Sequence, residues 1–483
     1  MTAPVSIDAF ASAVDLMAAL ESRELSSTEL TEMLIGRIER LNPPLNAIIL
    51  PTFERARASA READERRERG ERGALLGLPL TIKESNEVAG LPCTAGIADF
   101  KGYVPEADGP VPAKVFAAGG VMLGKTNIPV SLSDWQANSP IYGRTNNPFD
   151  LTRTPGGSTG GGSAALAAGL TSLEFGSDIG GSVRVPATFC GVYGHRPSET
   201  AVSRAGSFPM ASAPSVTAVM GVCGPLARSA GDLELALDVM AGPEPGEDAG
   251  WTLTIPQARR EGLAGLRVAV LPAVDWLPVD SEIRAAQDEL AGWLGAQGAV
   301  VNEASPPFDF AEYYQDYWRC LIARTSAAQP AEVRRASALA IRGSGDPALA
   351  GSADGFVMDT ADFMALMGRR EQGRIAWRAF FRDWDVLLTP MTLTAAFKHT
   401  EEPFNARTID VDGQAVPYRL QVAYPSLATF AGQPATAFPV GLNRAGLPIG
   451  LQAIGPYLED RTPIRFAQLI ERERGGFLRP PGF

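Results

Sequence analysis

The sequence predicts an α/β protein built on a mostly parallel or mixed sheet. Three observations carry this expectation. Short apolar runs of strand length alternate with longer amphipathic runs along most of the chain. The 50 glycines and 38 prolines gather at the boundaries between those runs rather than in low-complexity tracts. The 483 residues show no internal repeat and no clear linker, so one large domain over 1–483 is expected, long enough to bury a large core.

The elements follow in order. Residues 6–41 read as two amphipathic helices, the second opening at "SSTEL", where Ser26 or Ser27 can cap and Glu29 lies in the first turn. Residues 53–73 are dense in Glu and Arg at three- and four-residue spacing and read as a solvated helix with near-balanced charge. "PLTIKES" (79–85) is a strand running into a loop, "PVPAKVFAAGG" a helix ended by glycine, and "VMLGKTN" a strand. "GSAALAAGLT" (162–171) is a small-residue helix, and "SLEFGSDIGGS" a strand that breaks into a glycine loop. Further along come "DLELALDVMAG" (helix), "LRVAVLP" (strand), "SEIRAAQDELAGWLGAQGA" (helix) and "VVNEA" (strand). Residues 306–380 read as mainly helical, interrupted by the glycine-rich "IRGSGDPALAGSADG". "DVLLTP", "ATAFPVG" and "PIGLQAIGP" are late strands, and "RTPIRFAQLIERE" is a closing helix.

Composition narrows the function. A formal net charge of −12 argues against a nucleic-acid-binding surface. The four cysteines, Cys93, Cys190, Cys223 and Cys320, form no CxxC pair and no zinc spacing, so no structural metal is expected and buried thiols in a reducing compartment are. The N-terminal stretch lacks a basic segment followed by an apolar one, and no apolar run reaches 18 residues. A cytoplasmic protein with no membrane partner is the expectation.

Two motifs are false friends. "GGVMLGKT", Gly119–Thr126, satisfies the pattern of a phosphate-binding P-loop, but that loop must follow a strand and open a helix. Here the first glycine ends a helix and Val121-Met122-Leu123 read as a strand. "GGSTGGGS" fails the dinucleotide fingerprint, because no acidic residue follows it suitably in a βαβ unit.

The chemistry lies in "PGGSTGGGSAALAAGLTSLEFGSDIGGSVRVP", Pro155–Pro186. Ser158 and Ser182 each follow a glycine pair, in settings where bare backbone N–H groups can approach a ligand. A serine nucleophile needs a base, and the chain has only two histidines, His195 and His399, neither in an informative context. A desolvated lysine is the other candidate, and Lys83 ends an apolar strand, a poor place for a lysine without a purpose. Taken alone, a lysine at a strand end is more often a snorkelling surface residue.

The stretches "GLPLTIKES", "GKTNIP", "YGRTNNPFDLTRTPGGSTGGGSAALAAG", "GSDIGGSVRVPATFCGVYGHRPS", "GPLARSAGDLELALDVM", "DVLLTP" and "GQPATAFPVGLNRAGLPIGLQAIGP" resemble the amidase signature family. The resemblance covers roughly residues 10–475 and is weakest between about 300 and 380; the signature core lies at about 75–200. It implies a single domain with a mixed sheet covered on both faces by helices. It also implies a hydrolase of carboxylic amides with a triad of Ser182 as nucleophile, Ser158 as bridging serine after a cis peptide bond, and Lys83 as general base. The oxyanion would be held by backbone N–H groups of Ile179, Gly180, Gly181 and Ser182. Asp178 and Arg184 match the supporting pair beside the nucleophile. Thr159 stands where the family usually carries a second serine, and Cys190 matches a small buried position. "SLSDWQANSPIYG" falls where the family contacts substrate, making Leu132, Ser133 and Trp135 candidates for the pocket wall.

No cofactor and no metal are implied; the partner is a small-molecule amide, with the protein a monomer or homodimer. Esters and carbamates stay open as substrates, the latter making the protein a urethanase with the same triad. The aromatic run "PFDFAEYYQDYWRC" (307–320) reads as core before pocket; as pocket it would suit an aryl or long apolar group. The glycine-rich 342–355 is a candidate mobile lid. A further alternative is the glutamyl-tRNA amidotransferase component that shares the signature, although residues 310–345 lack its "RYDG-x-RYG"-like motif. A non-catalytic binding protein on the same fold would have lost Lys83, Ser158 or Ser182, and all three are present.

Overall fold

The computed structural model of the chain describes residues 8–210 and 219–483. Among these, eleven strands drawn from both halves of the chain form one sheet. From edge to edge they are Ile48–Pro51, Val121–Thr126, Pro79–Lys83, Leu173–Asp178, Val222–Ala227, Tyr193–Arg196, Ala435–Leu442, Pro448–Ile454, Val386–Pro390, Arg267–Val270 and Val300–Glu303. The sheet is mixed. Pro79–Lys83 runs parallel to both neighbours, Arg267–Val270 likewise to both of its own, and the strands between are antiparallel.

Helices cover both faces, and the period-two alternation of strand side chains shows how. Val268, Val270, Val386, Leu388 and Phe438 belong to one buried cluster, with the helices Ala13–Ser22, Ser27–Leu45, Ala230–Met240, Ser281–Ala296 and Arg461–Arg474. Ala269, Leu387, Ala435 and Ala437 face a second cluster, built with Gly160–Ala167, Arg184–Cys190, Phe310–Thr325, Thr360–Asp383 and Ala423–Ala431. Among the described residues, no helix is long and apolar enough to cross a membrane.

Local signals set most boundaries. Ser26 caps Ser27–Leu45 in a full capping box with Glu29, and the helix runs past residue 41 through Pro43 and Pro44. The charged segment is a helix, Phe53–Glu68, that buries Ala56, Ala60 and Ala63, while Arg57 on its outer side pairs with Glu32 and Glu54. The P-loop pattern is dismantled: Pro110–Ala117 is the helix, and Gly124-Lys125-Thr126 lie inside the strand Val121–Thr126.

The glycine-rich stretch 342–355 departs from the expected lid. It holds a short 3-10 turn, Pro347–Leu349, and a helix, Ala350–Val357, in which Gly351, Ser352, Ala353 and Gly355 are buried. A Cβ on Gly351 would stand 2.3 Å from the Gln315 carbonyl oxygen, and one on Gly355 2.7 Å from that of Arg319. These glycines let the helix press onto Phe310–Thr325 backbone to backbone.

Candidate active site

The site forms where two neighbouring parallel strands end. Pro79–Lys83 and Leu173–Asp178 pair in register, Thr81 with Glu174 and Ile82 with Phe175, so their carboxyl ends lie side by side, where open α/β sheets present ligand sites. Leu80, Ile82, Leu173 and Phe175 join one core cluster. Thr81, Lys83, Glu174 and Gly176 take the opposite face, under the glycine-rich helix Gly160–Ala167 and the loop before it.

Lys83 is fully buried. Its Nζ donates to Ser158 Oγ at 2.7 Å, to Ser177 Oγ at 3.0 Å and to the Ser177 carbonyl at 3.4 Å. Burial lowers its pKa to about 7, against the opposing pull of Glu174, Cys223 and Asp178. The Gly157–Ser158 peptide is cis. Ser182 sits in the loop between Asp178 and the helix Arg184–Cys190, and Thr159 N–H donates to its carbonyl at 3.1 Å, tying the two Gly-Ser segments together. Ser182 is 6% exposed, and among the described residues its hydroxyl makes no hydrogen bond. The structure thus joins Lys83 to Ser158 directly and brings Ser182 to the same place through the backbone.

The loop 178–183 is held from behind. Asp178 accepts from the N–H groups of Gly181 and Val183, both at 3.1 Å, and from Arg184 Nε and Nη2 at 3.1 and 2.9 Å. Burial opposes the Asp178 charge, but Arg184 and then Arg196 outweigh it and hold the carboxyl well below the usual range. Arg184 reaches on to Gln452 Oε1, the Pro425 carbonyl and Thr429 Oγ1, anchoring the loop to the far part of the sheet. Gly181 adopts φ +85°, and a Cβ there would stand 2.9 Å from both Pro425 and Val185. Because Arg184 and Arg196 are wholly buried, Asp178→Ala would leave two guanidinium charges without their carboxylate. It is expected to lower unfolding stability by about 3–5 kcal/mol, visible as an earlier midpoint in urea; an unmoved midpoint would contradict this role.

Two carbonyls of the loop are held by side chains. Tyr317 OH donates to the Ile179 carbonyl at 3.1 Å, and Trp135 Nε1 donates to that of Gly180 at 2.9 Å. Of the four amides expected to face an oxyanion, the Gly181 N–H is already given to Asp178. Those of Ile179, Gly180 and Ser182 make no backbone hydrogen bond among the described residues.

Trp135 is 6% exposed and packs on Phe404 and Tyr418, so it braces the loop 178–183. Leu132 is half-buried and Ser133 exposed, in and just after a 3-10 turn, where Ser133 Oγ donates to the Val130 carbonyl. The aromatic run forms the helix Phe310–Thr325 and is core along most of its length. Tyr313, Tyr314, Tyr317 and Trp318 are buried, and Tyr317 alone of them hydrogen-bonds the loop. Thr159 is buried at the start of Gly160–Ala167, and its hydroxyl has no partner among the described residues.

Neither histidine reaches the serines. His195 is buried between Thr436 Oγ1 and Asp460 Oδ1, and His399 contacts Asn146, its pKa lowered by burial to about 4. The four cysteines are buried and free, Cys190 lying 3.4 Å from Ser163 Oγ. Among the described residues, no cluster of three His, Cys, Asp or Glu could hold a metal ion. Ser177 and Glu174 carry no motif of their own; only strand pairing brings them to Lys83.

A family model described as Amidase matches residues 29–463. Over 96% of both chains the sequence is 33% identical to the A-type component of a glutamyl-tRNA(Gln) amidotransferase from Synechococcus sp.. It is 31% identical to an indoleacetamide hydrolase from Bradyrhizobium diazoefficiens, over 96% of this chain and 86% of that protein. Among solved structures, a bacterial aryl acylamidase superposes with a TM-score of 0.79 at 25% identity over 96% of each chain. A 6-aminohexanoate cyclic dimer hydrolase superposes with a TM-score of 0.79 at 28% identity over 99% of each.

Proposed function

The chain belongs to the amidase signature family, and from that premise we propose that it hydrolyses the C–N bond of a small carboxylic amide through an acyl-enzyme on Ser182. The observation that carries this reading is the contact between a fully buried Lys83 and Ser158 Oγ at 2.7 Å, beside the Ser182 loop. Neutral Lys83 takes a proton from Ser158, which takes one from Ser182 as its Oγ attacks the amide carbon. The oxyanion is met by the N–H groups of Ile179, Gly180 and Ser182, whose loop is kept in place by Tyr317, Trp135 and Asp178. The proton returns along the relay to the leaving amine. Water then attacks the acyl-enzyme by the same route in reverse.

The relay needs Lys83 without its proton. Burial sets that ionisation at about pH 7, so kcat/KM is expected to fall about tenfold per pH unit below neutrality and to level off above it. A profile flat from pH 5 to 8 in folded enzyme would contradict a lysine base.

The substrate class is tested with four compounds: a primary aliphatic amide, a p-nitroanilide, a p-nitrophenyl ester and an aryl carbamate. Turnover of an amide supports the reading, and a carbamate preferred over every amide would replace it by a urethanase. The similarity to an amidotransferase component favours a second reading, action on glutamine within a complex. Silence toward all four compounds, with glutamine hydrolysis present, would favour that one.

A further inference from the structure

Beneath the triad lies a carboxyl group that the relay does not touch. Glu174 is fully buried. Thr81 Oγ1 donates to its Oε2 at 2.6 Å and Thr126 Oγ1 to its Oε1 at 2.7 Å. Thr81 lies two residues before Lys83 on the same strand and pairs with Glu174 across the sheet, and Thr126 pairs with Lys83 itself. The three strands therefore deliver the hydroxyls, the carboxyl and the lysine to one face. That face is closed by Gly160–Ala167, where a Cβ on Gly162 would stand 2.3 Å from Glu174 Cγ. A further hydroxyl, that of Thr171, lies 3.2 Å from Thr81 Oγ1.

Two donors on a carboxyl, one to each oxygen, suit a carboxylate, which accepts at both, better than the acid, which must spend one oxygen as a donor. Its charge then has to be answered. Burial pushes the carboxyl up to about 7, while the Thr81 and Thr126 hydroxyls and then the Lys83 cation pull it down and favour the ionised form. From the side of Lys83, the other charged or titratable groups are Asp178, Cys223 and Arg204. Asp178 is committed to Arg184 and Arg196, burial raises the Cys223 thiol and keeps it neutral, and Arg204 opposes a second cation. Glu174 is the anion left to face the ammonium.

We propose that Glu174 is a positioning residue for the proposed relay, a buried carboxylate that holds up the proton affinity of Lys83 so that it can accept the serine proton. It never touches substrate and exchanges no proton with Lys83 directly, because all three contacts of the Nζ go to Ser158 and Ser177. Without this charge, a lysine so buried would be too weak a base to keep the proton while the C–N bond breaks.

The inference rests on the triad reading, and the test separates the two. Glu174→Gln keeps the size and removes the charge, with one threonine hydroxyl turning to accept from the new amide. In the variant, the acidic limb of kcat/KM against pH is expected to move down by about 1 unit or more, and Glu174→Asp to restore most of the shift. A limb present in wild type and unmoved in folded Glu174→Gln would overturn this inference and leave the triad standing; absence of the limb in wild type would count against the triad itself. If Glu174→Gln does not fold, infrared titration of the wild type decides. A Glu174 carboxyl ionised at the upper end of the limb supports the inference, and one still protonated there overturns it.

Discussion

Ser182→Ala is expected to cut kcat on the order of 10⁶-fold toward any substrate the wild type turns over, the loss typical of removing a nucleophile whose partners act as a unit. The same variant should fold and melt like wild type. The Ser182 hydroxyl makes no internal hydrogen bond among the described residues, so deleting it strands no partner. The loop keeps its shape through Asp178, Arg184 and the Thr159 N–H to Ser182 carbonyl bond, none of which involves the hydroxyl. Turnover near the wild-type rate would end the assignment of Ser182 as nucleophile.

Lys83→Met is expected to lower kcat roughly 10⁴-fold, the upper range for a general base, and to erase the acidic limb near neutrality. Unlike Ser182→Ala, it carries a structural cost. The Ser158 and Ser177 hydroxyls lose their shared donor inside the protein, worth about 1–3 kcal/mol, and Glu174 loses the cation that faces it. A lower melting temperature with a folded far-UV spectrum is therefore part of the expected result. Retention of the limb in Lys83→Met would assign it to another group.

The triad candidates are legible because each sits in a long motif: Lys83 at the end of an apolar strand, Ser158 and Ser182 after glycine pairs. Strand and helix alternation likewise foretells an α/β sheet, mostly parallel or mixed, and the family resemblance adds its helices on both faces. What the sequence hides depends on register and on side-chain direction. Nothing local singles out Glu174 among the polar residues of Leu173–Asp178; only pairing across three strands sets it between Thr81 and Thr126. Tyr317 sits in an aromatic stripe whose helical spacing says core, which is true of Tyr313 and Tyr314, and nothing local singles out the one hydroxyl that reaches Ile179. Nor does anything local show that the Trp135 indole N–H donates to the Gly180 carbonyl. The run around Gly351 reads as a lid because glycine signals either freedom or close approach, and composition does not distinguish them; here the Gln315 carbonyl does.

The central claim is that an acyl group forms on Ser182, and covalent capture tests it most directly. An aryl carbamate would be incubated with the enzyme to leave a slowly hydrolysed carbamoyl group, and the protein cut with trypsin. Cleavage after Arg153 and Arg184 places both candidate serines in one peptide, residues 154–184, and fragment masses tell them apart. The account predicts the added mass on Ser182, with Ser158 unmodified and no labelling in Ser182→Ala. A carbamoyl group on Ser158, or inactivation with peptide 154–184 unmodified, would contradict it.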